Sequence, residues 1–64
     1  MPYFIIIETT DGFEVACVPE GKTASQIARD RGAILIDAGP YRTFQAAHEV
    51  LMTMPNPYQQ QNVY

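Results

Sequence analysis

Asp11-Gly12 stands between two runs of aromatic and β-branched residues, Tyr3–Thr10 and Phe13–Val18. Two such runs around a turn dipeptide predict a β-hairpin. Asp-Gly suits the centre of a type I′ turn, where both central residues take positive φ. The register expected from that turn sets Thr10 opposite Phe13, Glu8 opposite Val15, Ile6 opposite Cys17 and Phe4 opposite Pro19. Phe4, Ile6, Phe13 and Val15 then line one face, and Tyr3, Ile5, Ile7, Ala16 and Val18 line the other. A sheet with one wet face alternates apolar and polar residues. This hairpin does not, so both of its faces ask for cover.

The rest of the chain supplies little with which to cover them. After Pro19-Glu20-Gly21-Lys22, Thr23 reads as a helix N-cap, and Gln26 three residues on completes a capping box. The helix expected over Ala24–Arg31 carries Ala24, Ile27 and Ala28 as its apolar stripe, and Gly32 follows as the C′ residue. Ala33–Asp37 is an apolar run bounded by Gly32 and Gly39-Pro40, which predicts a buried strand with a turn at Pro40. Thr43 is a second N-cap, and Phe44–Met54 repeats apolar residues at helical spacing until Pro55 stops it. The predicted fold is α+β, a three-stranded sheet (a β-hairpin plus one strand) with two helices in the order β-β-α-β-α. A right-handed crossover would set the third strand beside the first, giving strand order 2-1-3 with both helices on one face. Residues 1–54 form the single domain. Residues 55–64 carry no charge and are rich in Pro, Gln and Tyr; they are expected to be irregular or docked on a neighbouring protomer.

At 64 residues the chain sits where a core alone barely offsets the entropy of folding. One cysteine permits no intramolecular disulfide, and one Cys with one His cannot complete a four-coordinate zinc site. The composition is nonetheless globular, with 47% hydrophobic and 17% charged residues. A single Cys17 suggests a reducing, cytoplasmic setting. Phe4–Ile7 lacks a preceding basic stretch and is too short to span a bilayer, so neither a signal peptide nor a membrane partner is expected. The formal net charge of −3 argues against nucleic acid, whose phosphates select basic faces. The four cations, Lys22, Arg29, Arg31 and Arg42, all fall within one stretch that also holds Asp30 and Asp37. Arg29, Arg31 and Arg42 are therefore a candidate basic patch for an acidic partner, against a solvated helix face as the plainer account.

Three partial resemblances run through the chain. The hairpin followed by Val18–Ala28 resembles the β-β-α opening of β-grasp domains such as the sulfur carriers, which implies further strands and a Gly-Gly tail. Here a helix follows and no Gly-Gly occurs. Gly39-Pro40-Tyr41-Arg42-Thr43 and the helix after it are similar to the second half of a peptidoglycan-binding SPOR repeat, without its first half. Met1-Pro2 on a chain this short looks like the start of the oxalocrotonate tautomerases, which implies Pro2 as a base. Their first strand, however, leads into a long helix rather than a hairpin. Each resemblance covers at most about half of the chain, and none assigns a family.

The candidates for chemistry are few. Cys17 and His48 are the only thiol–imidazole pair, but Cys17 is expected to be a buried, unreactive packing residue beside Ile6 and Val15. His48 sits at the edge of a helical apolar stripe, with no third group to orient it. Glu8 and Glu14 fall on opposite faces. Gly21-Lys22-Thr23 lacks the earlier glycine of a phosphate loop. An anion site is conceivable where Arg42, Gly39-Pro40 and the N-terminus at Thr43 converge; the plainer account pairs Arg42 with Asp37. No catalytic residue, metal or cofactor is expected. The expected function is a non-enzymatic protein-interaction or regulatory module, of the kind that phage and accessory genes encode to bind a host protein. It would act as a homodimer or higher oligomer, with Tyr58 and Tyr64 docking the tail. The other reading is a small enzyme whose site forms between subunits.

Overall fold

A computed structural model describes residues 1–55, and Tyr58 and Tyr64 lie outside the described residues. The elements follow the order β1 (Tyr3–Thr9), β2 (Gly12–Val18), α1 (Ala24–Asp30), β3 (Ile34–Tyr41) and α2 (Phe44–Thr53). They form an α+β fold around one three-stranded antiparallel sheet, ordered β2-β1-β3.

The hairpin turn is displaced by one residue from its expected place. Thr9 pairs with Gly12, so the two-residue loop is Thr10-Asp11 and Gly12 opens β2. Thr9 holds this arrangement: its Oγ1 accepts from the Asp11 N–H at 3.1 Å and its hydroxyl donates to the Gly12 carbonyl at 3.2 Å. Gly12 takes φ 122°, a backbone region that suits glycine. The true register is Phe4 with Cys17, Ile6 with Val15 and Glu8 with Phe13. Every expected pair slips by two residues. A slip of two preserves the face of each side chain, so the division into two apolar faces holds.

Those two faces are covered separately, not by both helices on one side. Ile5, Ile7, Ala16 and Val18 pack beneath Ala24 and Ala28 of α1, joined by half-buried Tyr3, Ile27, Ala33 and Leu35. The opposite face carries Phe4 and Ile6 and lies under α2. Ile6 and Ala47 are fully buried there, and the Phe4 and Phe44 rings meet edge to face at 6.3 Å. Alanines at 24, 28 and 47 let both short helices approach the sheet closely.

The helix ends match the sequence signals. Thr23 and Gln26 form the reciprocal capping box, and Thr43 Oγ1 accepts from Ala46 N–H at 3.0 Å. At the other end of α1, Gly32 at φ 63° donates to Arg29 and Ala33 donates to Ala28. This is a Schellman stop. The third strand departs from expectation: it runs through the predicted turn at Pro40 to Tyr41. Its register against β1 shifts twice, between Phe4 and Ile6 and between Ile6 and Ile7, and Gly39-Pro40 is cis. The extra residues fall on β3, which stays paired with β1 at both ends.

Ile6→Ala should cost about 2–5 kcal/mol, as for other fully buried aliphatic truncations. Chemical denaturation measures this, and a loss below about 1 kcal/mol would mean that the α2 face of the sheet is open to water.

Candidate functional site

The end of β3, Asp37-Ala38-Gly39-Pro40-Tyr41-Arg42, is an organised surface segment. The Asp37 carboxylate accepts from the Gly39 N–H at 2.9 Å and from the Tyr41 hydroxyl at 2.5 Å. An Asp accepting from the amide two residues on is an Asx turn. Gly39 adopts φ 65° with its backbone against the Tyr41 ring. A Cβ there would lie 2.5 Å from the Tyr41 nitrogen and 2.8 Å from its ring, so only glycine fits.

This loop forms one wall of an open hollow of about 350 Å³, lined by Met1, Pro2, Tyr3, Pro40, Tyr41 and Arg42. Its walls are proline and tyrosine rings, with Arg42 as the one cationic side chain. Neither Cys17 nor His48 reaches it. Asp37 is held below the ordinary carboxylate range, first by the Tyr41 hydroxyl and then by the Gly39 amide, against a small opposing effect of burial. Tyr41 is raised above the ordinary phenol value, chiefly because its proton is shared with Asp37.

The anion site expected near Thr43 is already used internally. The Gly39 amide serves Asp37, and the Thr43 hydroxyl oxygen caps α2. The expected Asp37–Arg42 pair is absent among the described residues; Asp37 instead accepts from Tyr41 and Gly39.

The three arginines fall at two places in the fold, Arg29 and Arg31 at the end of α1 and Arg42 just beyond β3. Arg31, just past α1, pairs with Glu14, which faces Ile7 on β1. Arg42 follows Tyr41, which faces Phe4 three residues away along the same strand. At about 3.3 Å per residue that alone separates the two sheet positions by roughly 10 Å. Arg29 is exposed in the last turn of α1.

Cys17 corrects a clear expectation, for it is exposed rather than buried. It lies on edge strand β2 opposite half-buried Phe4, not enclosed between Ile6 and Val15. His48 is exposed and stacks on Phe44 at 5.6 Å with the planes 14° apart. Among the described residues, no three His, Cys, Asp or Glu side chains cluster to hold a metal, and no helix is long and apolar enough to cross a membrane.

The largest exposed apolar side chains are Met1, Ile34, Ile36, Phe44 and Met52. Ile34 and Ile36 sit on edge strand β3. Phe44 and Met52 share one stripe of α2 with His48, at four-residue spacing. Sequence periodicity placed Phe44 on the inner stripe, and the structure leaves it 54% exposed because Ala47 makes the close contact instead.

No protein-family model, curated protein or solved structure matches the chain.

Two outcomes test this geometry. Cys17 should react with a thiol reagent under native conditions at nearly the rate of the unfolded chain; strong protection would return it to the core. Tyr41→Phe should raise the folded-state pKa of Asp37 toward the ordinary value, read by NMR titration of the Asp37 carboxyl. The sign for stability follows from the depressed folded value. Ionised Asp37 stabilises the fold at pH above its unfolded value near 3.8, and this contribution is lost as pH falls through the lower folded value. The variant should lose part of that acid dependence.

Proposed function

We propose that this chain is a small non-enzymatic protein-interaction module of the cytoplasm, which works by offering an apolar surface to a partner. The observation that carries this reading is the position of Ile34, Ile36, Phe44 and Met52, which remain in water although both sheet faces are covered. Exposed apolar groups collected on particular elements, rather than scattered, mark contact surfaces. The chemical inventory supports the same reading. An enzyme needs a nucleophile or base held beside a water-poor pocket. Here Cys17 lies exposed on β2, His48 is stacked on an exposed ring, and the hollow beside Tyr41 is lined by Pro, Tyr, Met and Arg.

The lone thiol supports the cytoplasmic assignment. Self-association belongs to the same reading, but its motive changes. With both faces covered, an uncovered sheet face no longer calls for it, and what remains is the strand edge and the outer stripe of α2.

Affinity capture with the full chain, in parallel with an Ile34→Lys, Phe44→Ser double variant, tests this reading. A partner retained by the native chain and lost by the folded variant is the expected result. Reproducible turnover of carbonyl acids or thioesters, abolished by His48→Ala or Cys17→Ala, would overturn it.

A further inference from the structure

We propose that the hollow where β1 begins and β3 ends binds a small aromatic carboxylate, its ring against the proline and tyrosine rings and its carboxylate on Arg42. None of Ile34, Ile36, Phe44 and Met52 lines this hollow, so the site is independent of the apolar surface proposed above.

Strand pairing builds the hollow. β1 and β3 run antiparallel with Phe4 opposite Tyr41. Met1, Pro2 and Tyr3 therefore share one end of the sheet with Pro40, Tyr41 and Arg42. The volume of about 350 Å³ is that of a small-molecule site. Four of the six lining residues present rings, and Pro2 and Pro40 have no amide hydrogen to offer. Ring walls favour a flat apolar body.

The Tyr41 wall is set before a ligand arrives. Its hydroxyl donates to Asp37 at 2.5 Å, and the same carboxylate accepts from the Gly39 amide at 2.9 Å. The Gly39 backbone lies against the ring, where a Cβ would come within 2.8 Å of it. Swinging the phenol away breaks the Asp37 bond and this contact. A wall fixed in advance lowers the ordering cost of binding.

The charge of the ligand follows from Arg42, the one cationic side chain that lines the hollow; no Asp or Glu lines it. Among the described residues the ion pairs are Met1 with Glu20 and Arg31 with Glu14, and Arg42 belongs to neither. Asp37 accepts from Tyr41 and Gly39 instead. The Gly39 amide and the Thr43 hydroxyl oxygen are engaged as well, which leaves Arg42 as the anchor for an anion. A guanidinium fork matches a carboxylate with two parallel hydrogen bonds and also stacks on rings. The hollow beside Ile34 has the opposite character: it holds about 170 Å³, and its one charged lining residue is Glu8.

Amide NMR of the full chain, titrated separately with benzoate, acetate, benzyl alcohol and inorganic phosphate, tests the assignment. Benzoate should give saturable shifts at Tyr3, Tyr41 and Arg42, with a dissociation constant on the order of 1 mM, as suits a ligand this small. Acetate lacks the ring and benzyl alcohol lacks the charge, so each should bind at least about tenfold more weakly. Phosphate should not displace benzoate at equal concentration. Arg42→Gln, at an exposed position, should keep the native spectrum and weaken benzoate at least about tenfold. Arg29→Gln, also exposed, should bind benzoate like the native chain. Acetate or benzyl alcohol binding as well as benzoate overturns the proposal. So do displacement by equal phosphate, shifts centred away from the hollow, an affinity untouched by Arg42→Gln, and the lack of any saturation. If Arg42→Gln loses the native spectrum, the comparison of benzoate with acetate and benzyl alcohol on the native chain decides alone.

Discussion

Three consecutive isoleucines on the central strand are all fully buried, and the rest of the molecule follows from that demand. Successive residues of a strand point to opposite faces, so Ile5 and Ile7 need cover on one side and Ile6 on the other. Burying such a side chain is worth about 1.5–3 kcal/mol, a large share of the stability of a domain this small. One helix is therefore spent on each face. Each is short, and each uses alanine at its closest approach. Neither would persist alone in water; sheet and helices stabilise one another or not at all.

This constraint was legible in the sequence, but its solution was not. The failure of alternation in Tyr3–Ile7 showed two apolar faces, and capping signals at Thr23 and Thr43 fixed where both helices begin. Gly32 marked the end of α1 through its left-handed backbone. Periodicity gave no information about the side of the sheet on which each helix would lie. The hairpin turn departs from its dipeptide signal for a local reason. Asp-Gly is a strong signal for the two central positions, yet the Thr9 side chain bonds both the Asp11 amide and the Gly12 carbonyl and moves the loop back by one residue. A side chain competing for backbone groups overrides the dipeptide preference.

The loop at the end of β3 shows a different limit. Gly39-Pro40 punctuates the chain and signals a turn. The strand survives because three groups close the irregular stretch: the Asp37 carboxylate, the Gly39 amide and the Tyr41 hydroxyl. Asp followed two residues later by Gly was the available signal for half of this motif. The other half, Tyr41 reaching back four residues, depends on register shifts that no local pattern encodes. Cys17 shows a similar limit. Its neighbours in sequence are apolar, but exposure is set by its place on an outer strand opposite half-buried Phe4.

Covering both faces with so few residues decides where the apolar remainder goes. A third helix or a fourth strand would be needed to shield the outer edge of β3, and among the described residues neither occurs. The β2 edge has its guard because α2 lies mainly over it and Arg31 reaches Glu14. The crossover places β3 on the far side of β1, where α1 is its main cover. Its first half keeps the apolar sequence of a buried strand, since Leu35 must still face the α1 side, and its second half turns away through bulges held by Asp37 and Tyr41. The exposure of Ile34 and Ile36 is thus a direct consequence of enclosing Ile5, Ile6 and Ile7. A chain that stabilises its central strand on both faces leaves its unprotected apolar surface on the neighbouring edge.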